Sequence, residues 1–128
     1  MRHAVNAVNP HLTHLFMDAG SLAAARRLWV DLLGLELLED RGAYIRVGGG
    51  GGFAIGIEEA RTPGEAHGQG PEITMRVPDV DALVERLRGA GVEIVSAPAE
   101  QPWGARHAWL CDPDGRLTSI YSSERSIM

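Results

Sequence analysis

The 128-residue sequence contains no lysine, a single cysteine and few aromatic residues. All twelve of its cationic side chains are therefore arginines, and they are scattered along a chain of formal net charge −5. A protein that binds nucleic acid usually presents a clustered basic surface. We therefore expect no nucleic-acid partner.

Long hydrophobic runs are also missing. None approaches the ~18 apolar residues of a membrane-spanning helix, and the first ten residues, MRHAVNAVNP, lack the apolar centre of a signal peptide. The single cysteine, Cys111, cannot form an internal disulfide. We expect a cytoplasmic protein with no membrane partner, in which Cys111 is a small buried hydrophobe.

The sequence does contain a repeat. Each copy has a side chain suited to cap the start of a helix, Ser21 or Asp79, and a glycine suited to a left-handed helix end, Gly34 or Gly91. A strand precedes each predicted helix and three strands follow it, so the predicted order is βαβββ twice. The strand candidates outside the closing hairpin are HLTHLFM, LELLED, GAYIRVG, FAIGIEE, PEITMRV and VEIVSA.

The repeat predicts how the chain is organised. Residues 12–59 and 71–122 form two units of a single domain that spans residues 1–128. Units of this length cannot bury their apolar faces alone, so they should pack together. Each predicted helix has an apolar side, which contains Leu28 in the first helix and Leu87 in the second. These apolar sides would cover one face of the strands. We expect an α+β fold in which a curved sheet encloses a cavity on its other face.

The segment WGARHAWLCDPDGRLTSIY near the end of the chain predicts a β-hairpin. Its centre, Asp112–Gly115, has the proline and glycine of a tight turn. Side chains alternate between the faces of a strand, so Leu117, Ser119 and Tyr121 share one face. Ser119 is therefore expected to face the cavity.

Together these features resemble the glyoxalase, bleomycin-resistance and extradiol dioxygenase superfamily, also called the vicinal oxygen chelate fold. The resemblance rests on the doubled βαβββ pattern, the segment LWVDLLGLELLE and the closing hairpin, and it covers about residues 12–122. It implies a cavity-forming fold and a homodimer, with units paired within one chain or exchanged between chains. It does not fix the activity, because the family includes isomerases, lyases, dioxygenases and metal-free drug-binding proteins.

The resemblance also implies four positions at which metal-using relatives hold a divalent ion. In this sequence they fall on His14, Gly56, Glu72 and Ser119. Only the His14 imidazole and the Glu72 carboxylate are strong ligands, with Glu58 as an alternative donor near Gly56. We expect no cofactor or a weakly bound divalent metal at His14 and Glu72. The same two residues are the candidate catalytic pair, because an imidazole and a carboxylate can exchange a proton.

Other candidate site residues are polar or aromatic side chains expected on the cavity side. Arg76 would anchor an anionic group or pair with a nearby carboxylate. Trp29 is expected in the core, Trp109 either in the core or in the wall of an apolar pocket, and His107 could approach the cavity. The residues expected to bind an organic ligand are Phe16, Arg76, Trp103, Ser119 and Tyr121.

Two functions are compatible with these residues. The first is a binding protein of the bleomycin-resistance type, which holds a small organic ligand in the cavity without a complete metal site. The second is a metal-dependent lyase, isomerase or dioxygenase with an unusual ligand set. Gly56 and Ser119 favour the first, because full metal sites of the family place a carboxylate at one or both positions.

Overall fold

The computed structural model describes residues 13–60 and 72–123. Inferences about other residues, including the start of the first strand and the linker between the units, lie outside this part of the chain. The first unit consists of β1 (Leu15–Ala19), α1 (Leu22–Arg26) with a π-helical continuation (Arg27–Leu32), β2 (Glu36–Asp40), β3 (Tyr44–Gly48) and β4 (Ala54–Glu59). The second unit consists of β5 (Ile73–Arg76), α2 (Val80–Gly89), β6 (Ile94–Glu100), β7 (Ala105–Cys111) and β8 (Leu117–Ser123).

Each unit forms its own four-stranded sheet, in the orders β1-β4-β3-β2 and β5-β8-β7-β6. β1 runs parallel to β4 and β5 parallel to β8, and the remaining pairs are antiparallel. The predicted α+β class and the doubled βαβββ order are confirmed. All strand pairs among the described residues lie within a unit, so the curved sheet consists of two separate sheets.

The predicted helix starts and ends are confirmed. The Ser21 hydroxyl accepts a hydrogen bond from the Ala24 amide, and the Asp79 carboxylate accepts one from the Ala82 amide, both at 3.1 Å. Each bond satisfies one of the amides left free in a first helical turn. Gly34 has a φ of +80°, which favours glycine at a helix end. No helix within the described residues is long and apolar enough to cross a membrane.

The first helix changes its hydrogen-bond register after one turn. From Arg27 to Leu32 it is a π-helix, and the Leu33 amide donates to the Leu28 carbonyl at 2.8 Å. This bond spans five residues instead of four, as in the π-bulges that interrupt α-helices. The apolar periodicity of the sequence predicts the helix but not this register.

Both helices pack on one side of the sheets and form a shared core. Leu87 and Trp29 are fully buried, as predicted, and Leu28 is 3% exposed. Each helix also reaches the end of the other: Arg27 donates to the Ala90 carbonyl at 3.4 Å, and Arg86 donates to the Asp31 carbonyl at 3.1 Å. This packing leaves the opposite faces of both sheets without a helix cover. The remaining large core residues of the strands and α2 include Ile45, Val47, Ile55, Ile57, Ile73, Val80, Val84, Leu110 and Ile120.

Candidate functional site

The uncovered face of the second sheet brings together four side chains, two from β7 (His107 and Trp109) and two from β8 (Ser119 and Tyr121). Thr118 and Ile120 are fully buried, and Ile120 belongs to the core, so their neighbours on β8 point to the other side. Across the sheet, Tyr121 is paired with His107 and Ser119 with Trp109. Residues paired in this way share a face. The uncovered face therefore carries two aromatic rings and an imidazole from neighbouring strands.

We call Trp103, His107, Trp109 and Tyr121 the aromatic cluster. The His107 and Trp109 rings are stacked, with centroids 4.3 Å apart and planes 8° from parallel. The Tyr121 ring lies 5.4 Å from His107, and the Trp103 ring contacts His107 edge-on at 5.7 Å. These separations are typical of favourable aromatic pairs. Trp103 stands on the loop before β7 and is 61% exposed, so the cluster is open to solvent at this edge.

Glu72 joins the cluster from the start of β5. Its Oε2 accepts a hydrogen bond of 3.0 Å from the Trp109 indole nitrogen. An indole has only this one donor, so the bond fixes how the Trp109 ring is oriented on the sheet. Glu72 itself is exposed. The Glu72 carboxylate therefore holds the Trp109 ring and is accessible to solvent.

His107 is the most buried polar member of the cluster. It is 9% exposed, and neither Nδ1 nor Nε2 has a hydrogen-bond partner in the described part of the chain. Burial lowers the pKa of His107, whereas the negative charge of Glu72 acts in the opposite direction. Desolvation disfavours the charged imidazolium. The His107 ring is therefore neutral near pH 7.

Ser119 lies on the same face but is covered. The residue is fully buried, and its hydroxyl donates to the Thr74 hydroxyl at 2.9 Å. This bond ties β8 to β5 across the parallel pair. The Ser119 hydroxyl therefore fills buried space beside the aromatic side chains and satisfies the hydrogen-bonding capacity of Thr74.

The uncovered face of the first sheet has a different character. A Cβ added to Gly56 would lie 2.5 Å from the Tyr44 hydroxyl and 3.0 Å from the His14 ring, so these side chains occupy the space that a larger residue would need. His14 is exposed, and its Nδ1 lies 2.9 Å from the Thr13 hydroxyl. Phe16 is paired with Gly56 and is 60% exposed. No stacked aromatic pair occurs among the described residues of this face.

The candidate catalytic pair, His14 and Glu72, is divided between the two sheets. Each precedes the first strand of its unit, as the repeat implies. Their hydrogen bonds go to different neighbours, Thr13 and Trp109 respectively. Among the described residues no hydrogen bond or ion pair joins them to each other.

A separate cleft of about 610 Å³ lies beside β5, where the two units meet. This volume is typical of small-molecule pockets. Its walls include Leu35 and Phe53 from the first unit and Met75 and Arg76 from the second. Arg76 thus borders the cleft, whereas the aromatic cluster is not part of its lining.

A family model for the glyoxalase/bleomycin resistance protein/dioxygenase superfamily matches residues 11–120 of this chain. The chain belongs to this superfamily. The family assignment agrees with the doubled βαβββ architecture and with the resemblance noted in the sequence.

Solved structures of the superfamily are close in fold. TnmS3, described as an antibiotic binding protein from Streptomyces sp. CB03234, is 25% identical with a TM-score of 0.74, and the match covers 91% of this chain and 98% of that protein. A glyoxalase/bleomycin resistance protein from the same Streptomyces strain is 27% identical with a TM-score of 0.66, covering 85% of this chain and 98% of that one.

Curated relatives match only part of this chain. An uncharacterized protein of Mycobacterium tuberculosis is 33% identical over 69 residues, which is 54% of this chain and 41% of that protein. An uncharacterized protein of Mycobacterium bovis is also 33% identical over 69 residues, which is 45% of that protein. The matched segment therefore spans less than half of each relative.

The four metal positions of the superfamily hold an unsuitable donor set in this chain. The space at Gly56 is taken by Tyr44, and the Ser119 hydroxyl is buried against Thr74. At these four positions only His14 and Glu72 remain as donors, and the alternative donor Glu58 is exposed on β4. Among the described residues no group of three or more His, Cys, Asp or Glu side chains could hold a metal ion. These residues do not fit a divalent metal site, which needs about three protein ligands.

The centre of the aromatic cluster, His107 and Trp109, is not among the predicted site residues. Of the two positions predicted for Trp109, the core position is wrong, because the residue is half-buried on the uncovered face and bonded to Glu72. For His107 the sequence predicts only that it could approach the cavity. A usable signal was present in β7, where Ala108 and Leu110 are the core positions, so strict alternation places His107 and Trp109 opposite them.

Proposed function

We propose that this protein binds a small organic ligand at the aromatic cluster and does so without a complete metal site. The stacking of His107 on Trp109 carries this proposal. Stacked rings on an uncovered sheet face offer a flat apolar surface, which is the feature that recognises planar ligands. Trp103, at the exposed edge, adds a wall to this surface.

Polar groups around the cluster would orient the ligand. Glu72 holds the Trp109 ring and is itself exposed, so its carboxylate is available to a donor on the ligand. Tyr121 is half-buried beside His107. Small-molecule sites commonly combine an apolar floor with a few polar groups of this kind.

The likeness to TnmS3, described as an antibiotic binding protein, supports a binding function. The donor set at the metal positions supports ligand binding that is independent of metal, because Gly56 has no side chain and the Ser119 hydroxyl is bonded to Thr74. The predicted catalytic roles of these two residues have no supporting contact between them. We therefore favour binding over metal-dependent catalysis.

A homodimer is part of the proposal. The uncovered sheet faces and their surrounding loops expose large apolar side chains, including Phe16 and Trp103, each about three-fifths exposed. Exposed apolar patches commonly mark interaction sites. A second copy would cover these faces and turn an open surface into a cavity around Phe16, Trp103 and Tyr121.

Calorimetric titration with 2-naphthol, a planar aromatic probe, tests the proposed function. Trp109→Ala should weaken binding about 5- to 150-fold, because a ring that stacks on a ligand contributes roughly 1–3 kcal/mol. Phe53→Ala is the matched control, since Phe53 is an exposed aromatic residue of the separate cleft. Treatment with a chelator should not change the affinity.

The opposite pattern would contradict the proposal. If Phe53→Ala abolishes binding and Trp109→Ala does not, the ligand lies in the cleft beside β5. If binding requires a metal that His14→Ala removes, the metal-dependent function is correct instead.

A further inference from the structure

The two ring nitrogens of His107 are buried and have no hydrogen-bond partner in the described residues. Buried polar atoms in folded proteins are nearly always bonded, because water no longer solvates them. Leaving them unbonded costs free energy in the unliganded protein. Such an atom in a candidate binding site therefore indicates where a ligand supplies the missing partner.

The surroundings of His107 restrict what that partner can be. The Trp109 ring covers one face of the imidazole at 4.3 Å, and the ring edges carry the two nitrogens. A neutral imidazole has one N–H donor and one acceptor nitrogen. A hydroxyl group can satisfy either nitrogen, since it both donates and accepts. A charged group would be desolvated in this position without an opposite charge on the imidazole.

Access to the nitrogens depends on Trp103. This ring contacts His107 edge-on, stands on a loop and is 61% exposed, whereas the other cluster members stand on β7 and β8. Displacing an exposed loop side chain disturbs less packing than moving a strand residue. A ligand that enters the cluster would therefore replace the Trp103 edge beside His107.

We propose that His107 is the specificity-determining residue of this site and selects neutral, planar hydroxyaromatic ligands by hydrogen bonding to their hydroxyl group. The ring of such a ligand stacks within the aromatic cluster while its hydroxyl bonds a His107 nitrogen. This inference rests on the proposed function, because it assigns a ligand class to the same site. A flat hydrocarbon would use the stacking surface but leave the nitrogens unbonded.

Two probes of the same size separate stacking from hydrogen bonding. The first is 2-naphthol, and the second is 2-methylnaphthalene, in which a methyl group replaces the hydroxyl. The wild-type protein should bind 2-naphthol about 10-fold more tightly. His107→Phe keeps an aromatic ring but removes both nitrogens. The ratio of the affinities for 2-naphthol and 2-methylnaphthalene should therefore fall to near one, while 2-methylnaphthalene binding is retained. His107→Gln, which restores a donor and an acceptor, should recover part of the preference.

A measurement on the wild-type protein makes the test independent of any variant. Addition of 2-naphthol should shift the His107 side-chain ¹⁵N resonances in a two-dimensional NMR spectrum, and addition of 2-methylnaphthalene should leave the ¹⁵N shifts almost unchanged. If both probes bind, Trp109→Ala weakens both, and the preference survives in His107→Phe, the inference is wrong although the proposed function stands. If neither probe binds, both are wrong.

Discussion

A single buried histidine shows how much the protein environment changes an ordinary side chain. His107 stacks on Trp109 and is shielded from water, which lowers its pKa below the usual value for histidine. The residue type alone does not reveal this, because histidine is intermediate between the residue types that are mostly buried and those that are mostly exposed. What the sequence does give is the face of the strand on which His107 lies.

The lowered pKa of His107 predicts how stability depends on pH. As pH falls through about 6.5, the unfolded chain gains a proton at this residue while the folded chain resists protonation. Stability should therefore decrease in this range and level off only below the folded pKa. His107→Phe removes this contribution. In denaturant unfolding from about pH 7.5 to about pH 5.5, the wild-type protein should lose stability relative to the variant.

Other titrating groups are present in both proteins and cancel in this comparison. The nearest is Glu72, whose charge partly opposes the effect of burial on His107. A stability difference that stays constant with pH would mean that the imidazole is as well solvated in the folded state as in the unfolded chain.

Local elements were predicted well where their signals are local. The caps at Ser21 and Asp79 and the left-handed glycine at Gly34 depend on neighbouring residues only, and all appear in the structure. The π-helical register from Arg27 does not follow from the apolar periodicity, and the bond of Trp109 to Glu72 joins residues that are 37 positions apart. Alternation of side chains defines a face, but not which distant side chain meets it.

The turn between β7 and β8 contains a buried ion pair that its proline and glycine turn pattern does not predict. Arg116 Nη1 donates to Asp112 Oδ2 at 2.6 Å, and both residues are almost fully buried. Asp112 also accepts bonds from the backbone amides of Asp114 and Arg116. In addition, Arg116 donates to the Asp18 carbonyl at 3.1 Å, so the turn is attached to β1 of the other unit.

Asp112→Asn should therefore destabilise the protein by about 3 kcal/mol, because it removes the nearer of the two carboxylates that pair with the buried Arg116, the other being Asp18 at 3.8 Å. Denaturant unfolding followed by circular dichroism measures the change. Asp40→Asn is the matched control. Asp40 pairs with Arg26 at 2.8 Å, but both side chains are over two-fifths exposed, so little loss is expected. Equal losses in the two variants would show that the buried pair has no special role.

At the scale of the whole molecule, the helices cover one side of the sheets and leave the other open. The family and the α+β fold could be recognised from the repeat, because strand and helix periodicities extend over most of the chain. The division into two separate sheets could not be predicted from the repeat, since it depends on which edge strands form hydrogen bonds to each other. The uncovered faces are also unlike each other: one carries Tyr44 and His14, and the other carries the aromatic cluster.

The exposed apolar side chains of these faces predict the assembly. Phe16 is paired with Gly56 on the uncovered side of the first sheet and is 60% exposed, which leaves a large apolar surface in water for one copy of the chain. Burial against a second copy would remove this surface from solvent. We therefore expect a homodimer in sedimentation-velocity ultracentrifugation, and Phe16→Glu should convert it to a monomer because the new charge would be desolvated at the interface.

Ala23→Glu is the control for added charge, because Ala23 is exposed on α1, on the helix-covered side. This variant should remain a dimer. Dissociation should also weaken 2-naphthol binding if the second copy closes the cavity around the aromatic cluster, so Phe16→Glu should lose affinity although Phe16 lies on the other sheet from Trp109. A wild-type monomer that binds the probe with full affinity would contradict the dimer and show that the aromatic cluster of one chain is sufficient.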